Sequence, residues 1–224
     1  MTAITTMSLY VIATPIGVEK DISFRAVEIL ERCTAVIGED FKNTSRFLKT
    51  CKISDKEIYE LNEHSKNNDM PELVELAASQ EVALISDCGT PGFCDPGAQL
   101  VQMCRRRKIP VHSVPGASSL MAFLSICGRR LDHFLFRGFL PAENVERKLE
   151  LEKLRSQKIP IIVMDTPYRL KKLLTEIKDA SPTSKLVLGT ELSTPNETIL
   201  EGNAASVLQQ LKIEKAEFIL CILP

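Results

Sequence analysis

The chain has no tryptophan, and its charges nearly cancel: 28 Lys and Arg against 29 Asp and Glu leave a formal charge of −1 over 224 residues. Without a global positive potential, any site for a polyanion has to be local. The two common phosphate-cradling loops, GxxxxGK[ST] and GxGxxG, are both missing, which argues against a phosphate-rich nucleotide as ligand. The seven cysteines fall at no zinc-ligand spacing; Cys88 and Cys94 are separated by five residues, and no metal site is expected. A disulfide framework is not expected at this length, so the thiols read as reduced, small core residues of a cytoplasmic protein. No apolar run is long enough to cross a membrane, and there is no internal repeat or low-complexity segment. What remains, 44% hydrophobic and 25% charged residues, is the composition of an ordinary globular protein.

The most informative stretch is residues 81–97, EVALISDCGTPGFCDPG. Val82, Ala83, Leu84 and Ile85 form a continuous apolar run. Continuous rather than alternating apolarity suits a central strand of a parallel sheet, covered on both faces. The following loop carries Gly89, Gly92 and Gly97, Pro91 and Pro96, and the acids Asp87 and Asp95. Glycines let a ligand approach the backbone, and prolines lower the entropy lost in holding a loop open. Connections in α/β units usually take about 2–6 residues, and this one is longer. A long, stiff loop at the carboxyl end of a parallel strand is where open α/β sheets bind ligands.

Other segments fit around it. Leu9 to Ala13, Ala35 to Gly38, Ile58 to Asn62 and Pro110 to Val114 read as further strands, with amphipathic helices between them. Asp21 or Ser23 is expected to cap the first helix. This strict βαβα alternation predicts a parallel sheet. Beyond Val114 the pattern changes. Phe134 to Phe139 alternates as an antiparallel or mixed strand does. Glu143 to Arg155 reads as a helix with a solvated face. Ile159 to Met164, Lys185 to Gly189 and Glu217 to Leu223 read as strands, and Asn203 opens a helix. The expectation is two α/β/α domains, 1–114 with a mostly parallel sheet and 115–224 with a mixed sheet, and a cleft between them. Small and acidic residues end each strand of the first half: Pro15 and Gly17, Glu39 and Asp40, Asp87 to Gly97, and Pro115 to Ser119. Strand ends of a parallel sheet share one edge, so these groups converge. Carboxylates rather than lysines dominate there, which suits a cationic or polar ligand with ribose-like hydroxyls.

LYVIATPIG (9–17), DISFRAVEIL (21–30), GEDFKNTSRFL (38–48), SDCGTPGFCDPG (86–97), VPGASSL (114–120), FLFRGFLP (134–141), DTPYRL (165–170), ELSTPNET (191–198) and AEFILCI (216–222) run in order over nearly the whole chain. In these motifs the sequence resembles the tetrapyrrole-methylase superfamily, the class III S-adenosylmethionine-dependent methyltransferases. It is most similar to the ribosomal small-subunit RNA methyltransferase I family, which methylates a cytidine 2′-hydroxyl in 16S rRNA. The chain departs from that family's usual residues at Val18, Phe41-Lys42, Asn62 to Ser65, Asp165 to Arg169 and Ala216.

The resemblance implies S-adenosyl-L-methionine as cofactor, held in the interdomain cleft. Pro15, Gly17, Asp87, Gly89, Thr90, Phe93, Asp95, Ser118 and Ser119 would contribute from the first part of the chain, and Met164 and Leu192 from the second. It further implies 16S rRNA or the small ribosomal subunit as acceptor, a cytoplasmic location and a homodimer. A ribose hydroxyl is a poor nucleophile, so a base or a polarising cation is expected among the edge residues. Asp40, Lys42, His64 and Asp87 are the catalytic candidates, and Asp40 and Asp87 also read as cap or turn residues. Arg137 and Arg169 read as contacts to RNA phosphate. The run Arg105 to Lys108 ends a helix, where cations complement the dipole. Two alternatives stay open at this stage: a methyltransferase of the same fold acting on a tetrapyrrole or other small molecule, and a non-catalytic interaction protein that keeps the cofactor fold.

Overall fold

A computed structural model describes residues 7–62, 70–95 and 97–224. The chain divides into two compact units, Met1–Ser118 and Ser119–Pro224.

In the first unit the elements alternate: β1 (Ser8–Ile12), α1 (Phe24–Arg32), β2 (Ala35–Gly38), α2 (Phe41–Thr50), β3 (Glu57–Glu60), α3 (Met70–Ser79), β4 (Glu81–Leu84), α4 (Gly97–Arg106) and β5 (Val111–Val114). The strands form one sheet in the order β3-β2-β4-β1-β5, parallel throughout. The central strands β1, β2 and β4 are covered on both faces, while the edge strands β3 and β5 are partly exposed. Leu9, Ile37, Val82 and Leu84 pack against Leu73, Val74, Ala77, Leu100 and Cys104. Tyr10, Ile12, Val36 and Ala83 pack against Ala26, Ile29, Leu30 and Leu48 on the other side. This two-sided burial explains the unbroken apolar run of β4. The charge at its start is buried too. Glu81 accepts hydrogen bonds from Tyr10 Oη at 3.0 Å and from Arg32 Nε at 2.8 Å, so the buried carboxylate is paired.

Local sequence sets the helix starts. Ser23 caps α1, its Oγ accepting from Ala26 N at 3.1 Å. Asp40 caps α2, its Oδ1 accepting from Asn43 N at 2.8 Å. Gly38 gives α2 its close approach, because a Cβ there would run into Thr44 Oγ1, a buried side chain. We expect Gly38→Ala to lower the stability of this unit by about 1–3 kcal/mol, the range for overpacking a filled site. Urea denaturation of the variant checks this; an unchanged midpoint would show that the α2 start yields freely.

The second unit contains α5 (Ser119–Ile126), β6 (Leu135–Phe139), α6 (Asn144–Arg155), β7 (Ile161–Asp165), α7 (Leu170–Ala180), β8 (Lys185–Thr190), β9 (Thr198–Asn203), α8 (Ala204–Gln210) and β10 (Phe218–Ile222). Its sheet runs β6-β7-β10-β8-β9; β6 and β7 are parallel and the remaining pairs antiparallel. Two features differ from the sequence reading. Strand β9 was not expected: it is a half-exposed edge strand, and its TILEGN sequence contains a glycine and a charge that weaken the strand signal. Helix α6 is not merely a solvated face. Arg147 on it is fully buried, and all five of its N–H groups donate. They reach Glu176 twice (2.7 and 2.8 Å), Pro141 O (3.0 Å), Ala142 O (2.8 Å) and Asn144 Oδ1 (2.8 Å). Arg147 therefore holds the loop after β6 to α7.

Candidate active site

Helices follow strands in the first unit, so the connections after β1, β2 and β4 lie on the carboxyl edge of the sheet. The loop after β4 is tied to three neighbouring connections. Toward β1, Thr14 N donates to Gly89 O at 2.8 Å and Gly89 N to Thr14 O at 3.1 Å, while Thr14 Oγ1 donates to Ser86 O at 3.1 Å. Toward β2, Asp87 N donates to Glu39 Oε1 at 3.0 Å. Toward β5, Thr90 Oγ1 donates to Ala117 O at 3.1 Å. The loop also closes on itself: Asp95 Oδ1 accepts from Gly92 N at 2.7 Å and from Gly97 N at 3.0 Å. Gly89 and Gly92 have φ of +83° and +82°, a left-handed conformation that favours glycine. The loop is thus held open and rigid by the chain's own groups.

The residues singled out from sequence distribute as follows. Asp87 and Asp40 meet through Asn43, whose side-chain Nδ2 donates to Asp87 Oδ2 at 2.7 Å while its backbone N reaches Asp40. Asn43 was not anticipated; an amide three residues after a helix cap was the available signal. Lys42 is exposed in the first turn of α2. Pro15 is half-buried and Gly17 exposed just beyond β1; Thr90 and Phe93 are exposed, Gly89 is buried and Asp95 half-buried. Ser118 ends the first unit and Ser119 opens α5 of the second. His64 lies outside the described residues. In the second unit, Met164 is half-buried near the end of β7. Leu192 is buried in the turn after β8, between Glu191 and Ser193, whose φ values are +50° and +66°.

The expected phosphate contacts Arg137 and Arg169 are already engaged. Arg137 pairs with Glu150 at 2.5 Å and donates to Phe139 O at 2.8 Å. Arg169 pairs at 3.2 Å with the buried Asp165, whose Oδ1 also accepts from Thr166 N at 2.8 Å. Glu150 reaches Arg137 from α6, 13 residues on, and Asp165 stands four residues before Arg169 at the end of β7.

The electrostatics of the loop are one-sided. Residues 86–97 contain Asp87 and Asp95 and no Lys or Arg, and Glu39 and Asp40 border them. Burial, and then Asp95, push the Cys94 thiol up, so it stays protonated and is a poor nucleophile. Burial raises Cys33 and Cys221 to about 12. Among the described residues, no His, Cys, Asp and Glu side chains group as a metal site, and no helix is long and apolar enough to cross a membrane. The edge offers carboxylates, hydroxyls and bare backbone on a preset loop, a donor set that fits a cationic, hydroxyl-rich small ligand.

Residues 8–208 match the family described as Tetrapyrrole (Corrin/Porphyrin) Methylases. The chain is 33% identical over 222 residues to a ribosomal RNA small subunit methyltransferase I of Neisseria meningitidis serogroup B, covering 97% of this chain and 76% of that protein. It is 31% identical to the protein of the same name from Coprothermobacter proteolyticus, covering 96% and 97%. Among solved structures it is similar to a cobalt precorrin-4 methyltransferase of cobalamin biosynthesis, with a TM-score of 0.67 at 16% identity over 97% of this chain and 95% of that one. It is also similar to a uroporphyrin-III-C-methyltransferase from Thermus thermophilus, with a TM-score of 0.65 at 18% identity over 96% and 94%. At these identities the two structures establish the fold.

Proposed function

Because the chain belongs to the tetrapyrrole (corrin/porphyrin) methylase family and is a methyltransferase, we propose that it uses S-adenosylmethionine to methylate the 2′-hydroxyl of a cytidine ribose in small-subunit ribosomal RNA. The observation that supports the acceptor is the similarity, over 96–97% of this chain, to proteins named for small-subunit ribosomal RNA. The tetrapyrrole enzymes are similar at 16–18% identity and support the fold alone, so no specific feature favours a macrocycle. A cytoplasmic enzyme acting as a homodimer fits this reading.

When bound, the cofactor supplies a methyl group on a sulfonium cation. The acidic, lysine-free loop fits that charge, and its glycine backbone fits a ligand recognised through main-chain groups. By the family reading, Pro15, Gly17, Gly89, Thr90, Phe93, Asp95, Ser118 and Ser119, with Met164 and Leu192, would hold it. The protein's task is then to fix donor and acceptor in line, which supplies much of the barrier reduction, and to take the hydroxyl proton. Among the catalytic candidates, Asp87 suits the proton-accepting role. Asp40 caps α2, and the ammonium group of a lysine such as Lys42 is a donor only. Asp87 uses Oδ2 to accept from Asn43 and takes no hydrogen bond at Oδ1 from the described residues. Incubation with methyl-labelled S-adenosylmethionine and unmethylated 30S subunits tests the reaction: label on a ribose 2′-oxygen supports it, and label on a base or on no RNA overturns it.

A further inference from the structure

The outer face of α2 carries a charge pattern that the fold itself does not use. Lys42, Arg46 and Lys49 are spaced i, i+4, i+7, and all three are exposed. They fall within an arc of about 60° on the side away from the buried Thr44 and Leu48, at about 100° per residue. No acidic residue lies on this helix. Like charges at i, i+4 destabilise a helix, and a cation in the first turn opposes its dipole. Lys42 and Arg46 do the first and Lys42 the second, with no compensating ion pair among the described residues. At the helix start Asp40 and Glu60 accept from the backbone N–H groups of Asn43 and Phe41, each at 2.8 Å; they serve the helix terminus and form no ion pair with the three cations.

The stripe begins at the site. The first turn of α2 is tied to Asp87 through Asn43, and from Lys42 to Lys49 the cations lead away over about 10 Å. The basic run Arg105 to Lys108 is differently placed, at the far end of α4, which packs on the other face of the sheet from α2, with Arg107 paired to Glu75 at 2.5 Å.

We infer that this face of α2 is a phosphate track: Lys42, Arg46 and Lys49 contact successive phosphates of the RNA strand beside the nucleotide to be methylated. The inference rests on the RNA reading above. It places a local positive potential beside the site on a chain whose formal charge is −1, and contacts of this type position a strand without reading its sequence.

The test compares Arg46→Gln/Lys49→Gln with Arg105→Gln/Arg106→Gln, which removes the same charge from the helix on the other face of the sheet. Lys42 is left in place. Binding of each protein to unmethylated 30S subunits is measured across a salt series, with calorimetry of S-adenosylmethionine alone as a readout of the intact site. We expect the α2 variant to bind the subunit about tenfold more weakly and to lose about 1.4 from the slope of log K against log salt, two cations at about 0.7 each. The control variant and both cofactor affinities should match wild type. Equal weakening of the two variants, or none in the α2 variant while wild type binds, would overturn the track and leave the RNA reading intact. Wild type that fails to bind 30S subunits would overturn both.

Discussion

Replacing Arg147 with Ala should lower the stability of the second unit by about 3–5 kcal/mol, the cost of breaking a buried ion pair from one side. The substitution strands the Glu176 carboxylate, 10% exposed at its side chain, together with the carbonyls of Pro141 and Ala142. Arg147→Lys should not rescue it, because a point ammonium cannot reproduce a planar fork engaged at five hydrogen bonds. Pairing Arg147→Met with Glu176→Leu should recover part of the loss, since it removes the unpaired carboxylate and adds apolar packing but leaves the Pro141 and Ala142 carbonyls without their donor. Urea denaturation of the three variants checks the order; a loss below about 1 kcal/mol for Arg147→Ala would contradict the role given to this pair. The pH dependence has a definite sign. The hydrogen bond from Arg147 holds the Glu176 carboxyl below its ordinary value, so the folded pKa is depressed relative to the unfolded chain. The pair's contribution is complete above the ordinary glutamate range and fades as pH falls through the lowered folded value. Wild type should lose this increment in acid, and Arg147→Ala should lack it at every pH.

Asp87→Asn should reduce kcat by about 100-fold or more, the lower end for loss of a positioned base. Asparagine keeps an acceptor for Asn43 and the backbone donor to Glu39, so the loop should stay in place. The Kd for S-adenosylmethionine should change by less than about threefold, under 1 kcal/mol. Calorimetry and single-turnover methyl transfer separate the two effects. An unchanged kcat with a weakened cofactor would make Asp87 a cofactor ligand and remove it from proton transfer.

What sequence reveals here depends on how far apart the interacting residues lie. The first unit was legible because its signals are local. A continuous apolar run marks a strand buried on both faces, and Gly89, Gly92 and Asp95 sit close enough in sequence to announce a shaped loop. Ser23 and Asp40 announce their caps in the same way. The second unit was less so. The burial of Arg147 depends on Glu176, which arrives from another helix, and in sequence Arg147 is one charge among many in a helix rich in Lys and Glu. β9 owes its strand conformation to pairing with β8 rather than to its own composition. At the site, the acids were visible, but Asn43, which joins Asp40 to Asp87, emerges only when α2 is set beside the β4 loop. Arg137 and Arg169 show the converse: cations that looked available in sequence are held by Glu150 and Asp165.

The most direct measurement is the position of the transferred methyl group. Purified protein, labelled S-adenosylmethionine and 30S subunits lacking the modification would be incubated, and the rRNA digested to nucleosides. One labelled 2′-O-methylcytidine, absent when Asp87→Asn replaces wild type, is the predicted result. Cofactor binding by calorimetry with no label on ribose, or label on a base, would contradict the account and direct attention to a different acceptor for the same fold.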